Sequence, residues 1–269
     1  MSVRYMIAAF DETVTRLLLP PLLESIMHAY HDRPAMSIVL CEAGLRESIA
    51  DIIQAYPFAA FGKFKTTTEN MIGRKAQMWN ELMRLFSGEQ NVLMDMDMIL
   101  VKPVDSYFTK SFDIGFTYKT HKDEGMKWPI NTGLMLARKN EDVLSFFNKW
   151  CKDTNDALDN GLRKTPLIGG IWGAADQAAL GNYLDVRTGY DLPILRDGVS
   201  FKGFPCDELN ETRCVHVDPK LHVLHYKSKW HKILMDGEFR ESRSEEACRG
   251  QYEIWKSFEK KANERMSNQ

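Results

Sequence analysis

NVLMDMDMILVKPVD, residues 91–105, is the stretch on which the reading of the fold turns. Asp95 and Asp97 sit two apart inside an otherwise apolar run. Such a run packs in a core, and an isolated carboxylate is costly to bury there. Side chains on a strand alternate faces, so the two aspartates point the same way if the strand continues, with Cα atoms about 6–7 Å apart. Convergent carboxylates repel, and a divalent cation is a counter-charge suited to both. In open α/β sheets ligands bind at the carboxyl ends of strands, and the apolar residues before Asp95 place the pair at such an end. The alternative is that the aspartates only mark a strand-to-turn transition, with Pro103 just downstream.

Working outward from that stretch, the preceding residues read as alternating strands and helices. VRYMIAAF (3–10) is a short strand, and residues 13–30 carry helical apolar spacing that Pro20 and Pro21 are expected to kink or split. MSIVLCE (36–42) is the continuous apolar run of a buried parallel strand, followed by a polar-faced helix at 44–55. Residues 70–86 repeat Met71, Met78, Leu82 and Leu85 at helical spacing, a helix entered through Gly73. Beyond the aspartates, FDIGFTYK (112–119) and INTGLMLAR (130–138) are strands, and 141–151 is a helix burying Val143, Phe146, Phe147 and Trp150. KDTNDALDNGLRKT (152–165) reads as a mobile loop. The alternation predicts an α/β sheet with helices on both faces, in a single domain over 1–269 with a terminal helix at about 243–265.

Composition excludes several function classes. At 44% hydrophobic and 27% charged the 269-residue chain is an ordinary globular one. A net charge of −2 gives no global electrostatic case for nucleic acid or an anionic membrane. LLLPPLLESIM (17–27), the longest apolar candidate, is broken by Pro20, Pro21 and Glu24, so no transmembrane segment is expected. The N-terminus lacks the pattern of a signal peptide. Cys41, Cys151, Cys206, Cys214 and Cys248 are odd in number and lack CxxC spacing, which favours reduced thiols and a cytoplasmic setting. The sequon Asn210-Glu211-Thr212 is read in that setting as coincidence.

An Asp-x-Asp after an apolar strand has two well-known uses. In phosphohydrolases of the haloacid-dehalogenase type the first Asp is a nucleophile and the second a general acid. That motif normally opens the chain, carries Thr or Val where Ile99 stands, and needs a later acidic pair. The other use holds Mn²⁺ or Mg²⁺ against the diphosphate of a nucleotide sugar. Arrival after 90 residues of α/β units, which would build the nucleotide site, suits the second.

On these features the chain resembles a glycosyltransferase of the GT-A fold, and more narrowly the glycogenin-like and lipopolysaccharide-galactosyltransferase-like group, family eight. Arg74 opens a helix about twenty residues before the aspartates, LMDMDMILVKPVDSYF matches the group's metal strand, and INTGLMLAR resembles its F-N-[ST]-G-V-x-L strand. ADQAALGNYL (175–184) resembles its DQDxLN helix, and HVLHYKSKWHK (222–232) resembles its C-terminal His-then-Lys-Trp segment. His225 to Trp230 departs from the group's HxxGxxKPW, having neither Gly nor Pro.

The resemblance implies a Rossmann-like, mostly parallel central sheet flanked by helices and a hexosyltransferase-like enzyme that uses Mn²⁺ or Mg²⁺. It further implies a nucleotide-sugar donor, UDP-linked in the first instance, and a carbohydrate or other hydroxyl acceptor. Asp95, Asp97 and His225 would hold the metal, Asp95 also serving the donor ribose; His216, His222 and His231 compete with His225. Lys229, with Lys227 as rival, would neutralise the leaving diphosphate, unless both are only solvated. Arg74 and Lys75 could reach the same phosphates, or favour solvent at a helix start. Asn131 could bind a sugar hydroxyl beside Gly133, or serve a turn and bulge. Asp176 could hold donor hydroxyls with Gln177 by the anomeric carbon, or merely favour an early helical turn. Retention of stereochemistry follows from the resemblance; Asp176 acting as general base would instead allow inversion. A non-catalytic nucleotide-sugar-binding protein would carry the same residues.

Overall fold

The structure is a computed structural model that describes residues 3–31, 36–119, 130–161, 174–184, 193–210, 221–226, 234 and 249–268. Ten strands carry the chain's framework among these residues: β1 (Val3–Ala9), β2 (Met36–Glu42), β3 (Ala59–Phe64), β4 (Gln90–Met94), β5 (Met98–Leu100), β6 (Ile114–Tyr118), β7 (Ile130–Arg138), β8 (Ile194–Arg196), β9 (Val199–Pro205) and β10 (Val223–His225). Eight of them form one sheet in the order β3-β2-β1-β4-β7-β6-β9-β8. Strands β3, β2, β1 and β4 run parallel to one another, β7 is antiparallel to both β4 and β6, and β6 runs parallel to β9. The remaining pair, β10 and β5, forms a small antiparallel sheet.

The eight-stranded sheet is covered on both faces, which is why its strands read as unbroken apolar runs. Val3, Tyr5, Ile7 and Ala9 of β1 belong to one core with helix α1 (Glu12–Ala29) and the C-terminal helix. Met6 and Ala8 belong to a second core, with helices α4 (Met71–Phe86), α5 (Glu141–Asp159) and α6 (Ala175–Leu184). Two short helices, α2 (Leu45–Ser48) and α3 (Ala50–Ala55), take the place of the single helix expected over 44–55. A further short helix, α7 (Cys206–Leu209), follows β9, and the C-terminal helix α8 spans Arg249–Ser267.

Three local expectations are corrected. Helix α1 is not split at Pro20–Pro21: one helix runs from an Asp11 cap, whose carboxylate accepts from the Val14 amide at 2.8 Å, through to Ala29. Both prolines are buried, and the packing of this helix against β5 and α8 outweighs the lost backbone donors. Helix α4 is entered at Asn70, whose side chain caps the Ile72 amide at 3.0 Å, rather than through Gly73. Gly73 instead lies at the α4–α5 crossing, where a Cβ would stand 2.7 Å from Asn155 Oδ1. The polar stretch expected as a loop from 152 is helical through Asp159, its outer face carrying the i,i+4 pairs Lys149–Asp153 and Lys152–Asp156. It stops at Gly161, which has a φ of +75°; residues 162–165 lie outside those described.

Candidate active site

The pleat that carries Asp95 and Asp97 ends sooner than the apolar run suggests. Strand β4 stops at Met94, residues 95–97 turn, and β5 begins at Met98. The alternation of methionine and aspartate nevertheless persists through the turn. Met94, Met96 and Met98 are all in the core beneath α1, with the Thr15 hydroxyl against Met96 Sδ at 3.8 Å. The carboxylates are thereby left for the other side, where the Asp95 amide donates to the Gly133 carbonyl at 2.9 Å and holds the turn against β7.

His225 reaches the aspartates because β10 lies antiparallel to β5 with His225 opposite Met98. The Tyr226 amide closes this register by donating to the Asp97 carbonyl at 2.7 Å. Tyr226 is in turn fixed from behind: its hydroxyl donates to the Gln251 carbonyl of α8 at 2.7 Å, and its ring packs edge-on against Trp255. His225 Nε2 then lies 3.2 Å from Asp97 Oδ1 and 3.9 Å from Asp95 Oδ2. One ligand atom from each of Asp95, Asp97 and His225 falls within 4.8 Å of the other two. Two carboxylates and an imidazole form a donor set suited to Mn²⁺ or a similar divalent ion.

Room for this convergence comes from Gly133 on β7. A Cβ there would stand 2.2 Å from His225 Cε1 and 2.8 Å from Asp95 Oδ2. No other residue type leaves both side chains in place.

A third carboxylate joins from α6. Asp176 is buried, and its Oδ2 accepts from the Thr132 hydroxyl at 2.6 Å and pairs with Lys75 Nζ at 2.6 Å. Its Oδ1 accepts from the Gln177 amide at 3.0 Å, and its carbonyl accepts from the Trp150 indole at 2.9 Å. Lys75 also meets Asp95 Oδ1 at 3.3 Å, so one ammonium bridges the two carboxylates. Burial pulls the Lys75 pKa down, but Asp176 and Asp95 outweigh it and hold the group above the ordinary lysine value.

These residues line a cleft of ≈ 320 Å³ at the carboxyl ends of β1 and β4, the place where open α/β sheets bind ligands. Lys75, Asp95, Asp97, Asp176, Gln177 and His225 supply its polar wall. Phe10, Val14, Leu18, Met71, Ile72 and Trp79 supply much of an apolar one.

Of the residues singled out from sequence, Asp95, Asp97, Asp176, Gln177 and His225 therefore meet in one cleft. Arg74 and Asn131 stand beside it. The Arg74 guanidinium is held by Glu42 at 3.0 Å and by the Thr68 carbonyl at 3.1 Å. Asn131 is buried under the cleft floor, its Oδ1 accepting from the Gly133 amide at 2.9 Å. His222, a competitor of His225, is turned away, its Nδ1 against the Pro103 carbonyl at 2.7 Å. Lys227, Lys229, His216 and His231 lie outside the described residues.

Lys75 is the cleft residue that its neighbour Arg74 overshadowed in the sequence. Helical spacing puts Arg74 and Lys75 at i+3 and i+4 from Met71, both beside the apolar stripe, so periodicity alone does not choose between them. Thr132, which binds Asp176 from β7, carried no signal of its own in the sequence.

Comparison with known proteins follows the same lines. The fold is shared with the crystal structure of the glycosyltransferase GlyE of Streptococcus pneumoniae TIGR4, at a TM-score of 0.59 and 12% identity, covering 97% of this chain and 63% of that one. The chain thus spans less than two thirds of GlyE. The galactosyltransferase LgtC, solved with donor and acceptor sugar analogues, aligns at a TM-score of 0.52 and 12% identity over 94% of this chain and 95% of LgtC. A glycosyltransferase involved in glycosylation of the major capsid of PBCV-1 aligns at 0.50 and 12% identity, over 88% of this chain and all of that one. No curated protein matches the sequence. At such identities the likeness establishes the GT-A fold. The family profile described as nucleotide-diphospho-sugar transferase covers residues 45–254, from α2 to the start of α8 and through every cleft residue of α4, β7, α6 and β10. On a match of that extent, the chain belongs to the nucleotide-diphospho-sugar transferase family.

Proposed function

We propose that the protein is a metal-dependent glycosyltransferase that takes a sugar from a nucleotide-diphosphate donor, UDP-linked in the first instance, to an acceptor hydroxyl. The observation that carries this reading is the convergence of Asp95, Asp97 and His225 at a glycine-walled opening of the cleft. Asp97 and His225, with Asp95, would hold Mn²⁺ or Mg²⁺. A divalent ion bound there supplies Lewis-acid neutralisation of charge on the diphosphate.

The chain's own residues divide the remaining work. Lys75 and Asp176 form a rigid polar corner for donor sugar hydroxyls, and Gln177 lines the cleft beside them. Lys227 and Lys229 are assigned to the departing diphosphate, where negative charge grows as the glycosidic bond breaks; Arg74 and Asn131 are assigned to donor binding from the flanks of the cleft. Asp176 is a poor candidate for a general base. Its carboxylate already accepts from Thr132, Lys75 and the Gln177 amide, each of which stabilises the unprotonated form. That clamp speaks for hydroxyl binding by Asp176, and retention is read from the family resemblance. The GT-A fold leaves the phosphohydrolase alternative without support.

Calorimetric titration with UDP, with and without Mn²⁺, tests the reading. UDP binding should require Mn²⁺ and should be lost in Asp97→Ala. Absence of UDP binding under both conditions would sink it. Binding without transfer from any UDP-sugar to sugar acceptors would identify the non-catalytic alternative.

A further inference from the structure

The sequon asparagine, Asn210, is buried just after α7 and is not presented to solvent. Its side chain sits in a hydrogen-bonded chain leading to the candidate metal site. The Thr117 hydroxyl of β6 donates to the Asn131 carbonyl at 2.9 Å, Asn210 Nδ2 donates to Thr117 Oγ1 at 2.9 Å, and Asn210 Oδ1 faces His225 Nδ1 at 3.1 Å. Thr117, Asn131, Asn210 and His225 are all buried.

The direction of this chain follows from its far end. A main-chain carbonyl can only accept, so the single hydroxyl proton of Thr117 is committed to Asn131. Thr117 Oγ1 then offers Asn210 an acceptor, and the amide must turn its NH₂ toward it. The amide oxygen is left facing His225, and an oxygen there requires a proton on Nδ1. In a neutral imidazole a proton on Nδ1 places the lone pair on Nε2. Nε2 is the atom aimed between Asp97 Oδ1 and Asp95 Oδ2.

We infer that Asn210 is a positioning residue that sets the His225 tautomer, through the orientation Thr117 gives its amide, so that Nε2 presents a lone pair to a divalent cation. The inference rests on the metal reading of Asp95, Asp97 and His225 proposed above. A metal-bound histidine ordinarily donates its second N–H to an outer partner, and loss of such a partner weakens metal affinity by about ten- to a hundredfold.

Two measurements test it. The first is ¹⁵N NMR of the His225 ring in the metal-free protein, read for the neutral form. Wild type should carry the proton on Nδ1, and Asn210→Leu should move it wholly or partly to Nε2. The second is Mn²⁺ titration in the presence of UDP. Affinity should fall about ten- to a hundredfold in Asn210→Leu, and less in the near-isosteric Thr117→Val, which only frees the amide to flip. Asn210→Asp, whose carboxylate accepts the same Nδ1–H, should hold affinity near wild type. A wild-type proton on Nε2, or wild-type Mn²⁺ affinity in Asn210→Leu, overturns the inference. A wild-type protein that carries the proton on Nδ1 yet binds no Mn²⁺ overturns instead the metal reading beneath it.

Discussion

Gly133 leaves no room for a side chain at the cleft. His225 is held on one side by Asn210 and on the other by the β5–β10 pairing, so it cannot step back from an added methyl group. Gly133→Ala should cost about 1–3 kcal/mol of stability, as overpacked sites do. The same change should abolish the Mn²⁺ dependence of UDP binding; urea unfolding and calorimetry check the two effects separately. Lys75 is the complementary case, a charge whose loss strands others. Lys75→Met leaves Asp95 and Asp176 facing the cleft without their ammonium. Removing one partner of a buried ion pair costs about 3–5 kcal/mol, and urea unfolding should register a loss of that order. A loss below about 1 kcal/mol would mean that solvent, rather than Lys75, balances these carboxylates.

Element by element, the cleft is supported from behind by helix α8, which does not line it. Helix α8 packs Trp255 and Phe258 into the core shared with α1, and Trp255 backs Tyr226, the residue after His225. The two helices are also tied by charge: Glu24, buried in the middle of α1, pairs with Arg265 at 2.8 Å and 3.3 Å. Arg265→Ala should destabilise by roughly 3 kcal/mol, because a carboxylate inside α1 then has lost its cation. The double change Glu24→Leu with Arg265→Leu should recover most of that loss, since two apolar side chains leave no buried charge. Equal unfolding midpoints for Arg265→Ala and wild type would show that the pair contributes nothing. On the other side of β7 in the sheet lie strand β6 and the β8–β9 hairpin. Thr117 projects from β6 next to a bulge between Phe116 and Thr117, and the hairpin turns at Asp197–Gly198 with φ values of 48° and 79°. The Asp-Gly pair between apolar residues is a recognised hairpin signal, yet β8 and β9 were not among the strands read from sequence.

For the molecule as a whole, buried acids and a buried base share one direction of pH dependence. Burial, foremost, raises Tyr5, Tyr30 and Tyr56 above the ordinary phenol value. Lys75 is raised by its carboxylates in spite of burial. Each of the four holds its proton more tightly folded than unfolded. The stability they confer is therefore complete below the unfolded values, about pH 10 for both residue types, and is lost as pH rises toward the folded ones. Urea midpoints should fall above about pH 10, and Tyr5→Phe should shallow that fall. A midpoint that stays level through the same range would contradict the assignment.

Sequence by itself determined the sheet-and-helix order around β1, β2, α4, β4, β7 and α5, because burial on two faces leaves apolar runs and one-faced helices leave a 3.6-residue period. Asp95 and Asp97 stood out as carboxylates inside an apolar run, whereas Asp176 and His225 were named through the family resemblance. Only the tertiary structure decided what lies between those residues. The break of β4 at Asp95 depends on β10 arriving from 125 residues downstream to pair with β5. The choice of Lys75 over Arg74 depends on which face of α4 meets α6. The place of Asn210 depends on a hydrogen-bonded chain through three separate elements, and such long-range pairing leaves no periodicity in the sequence to read.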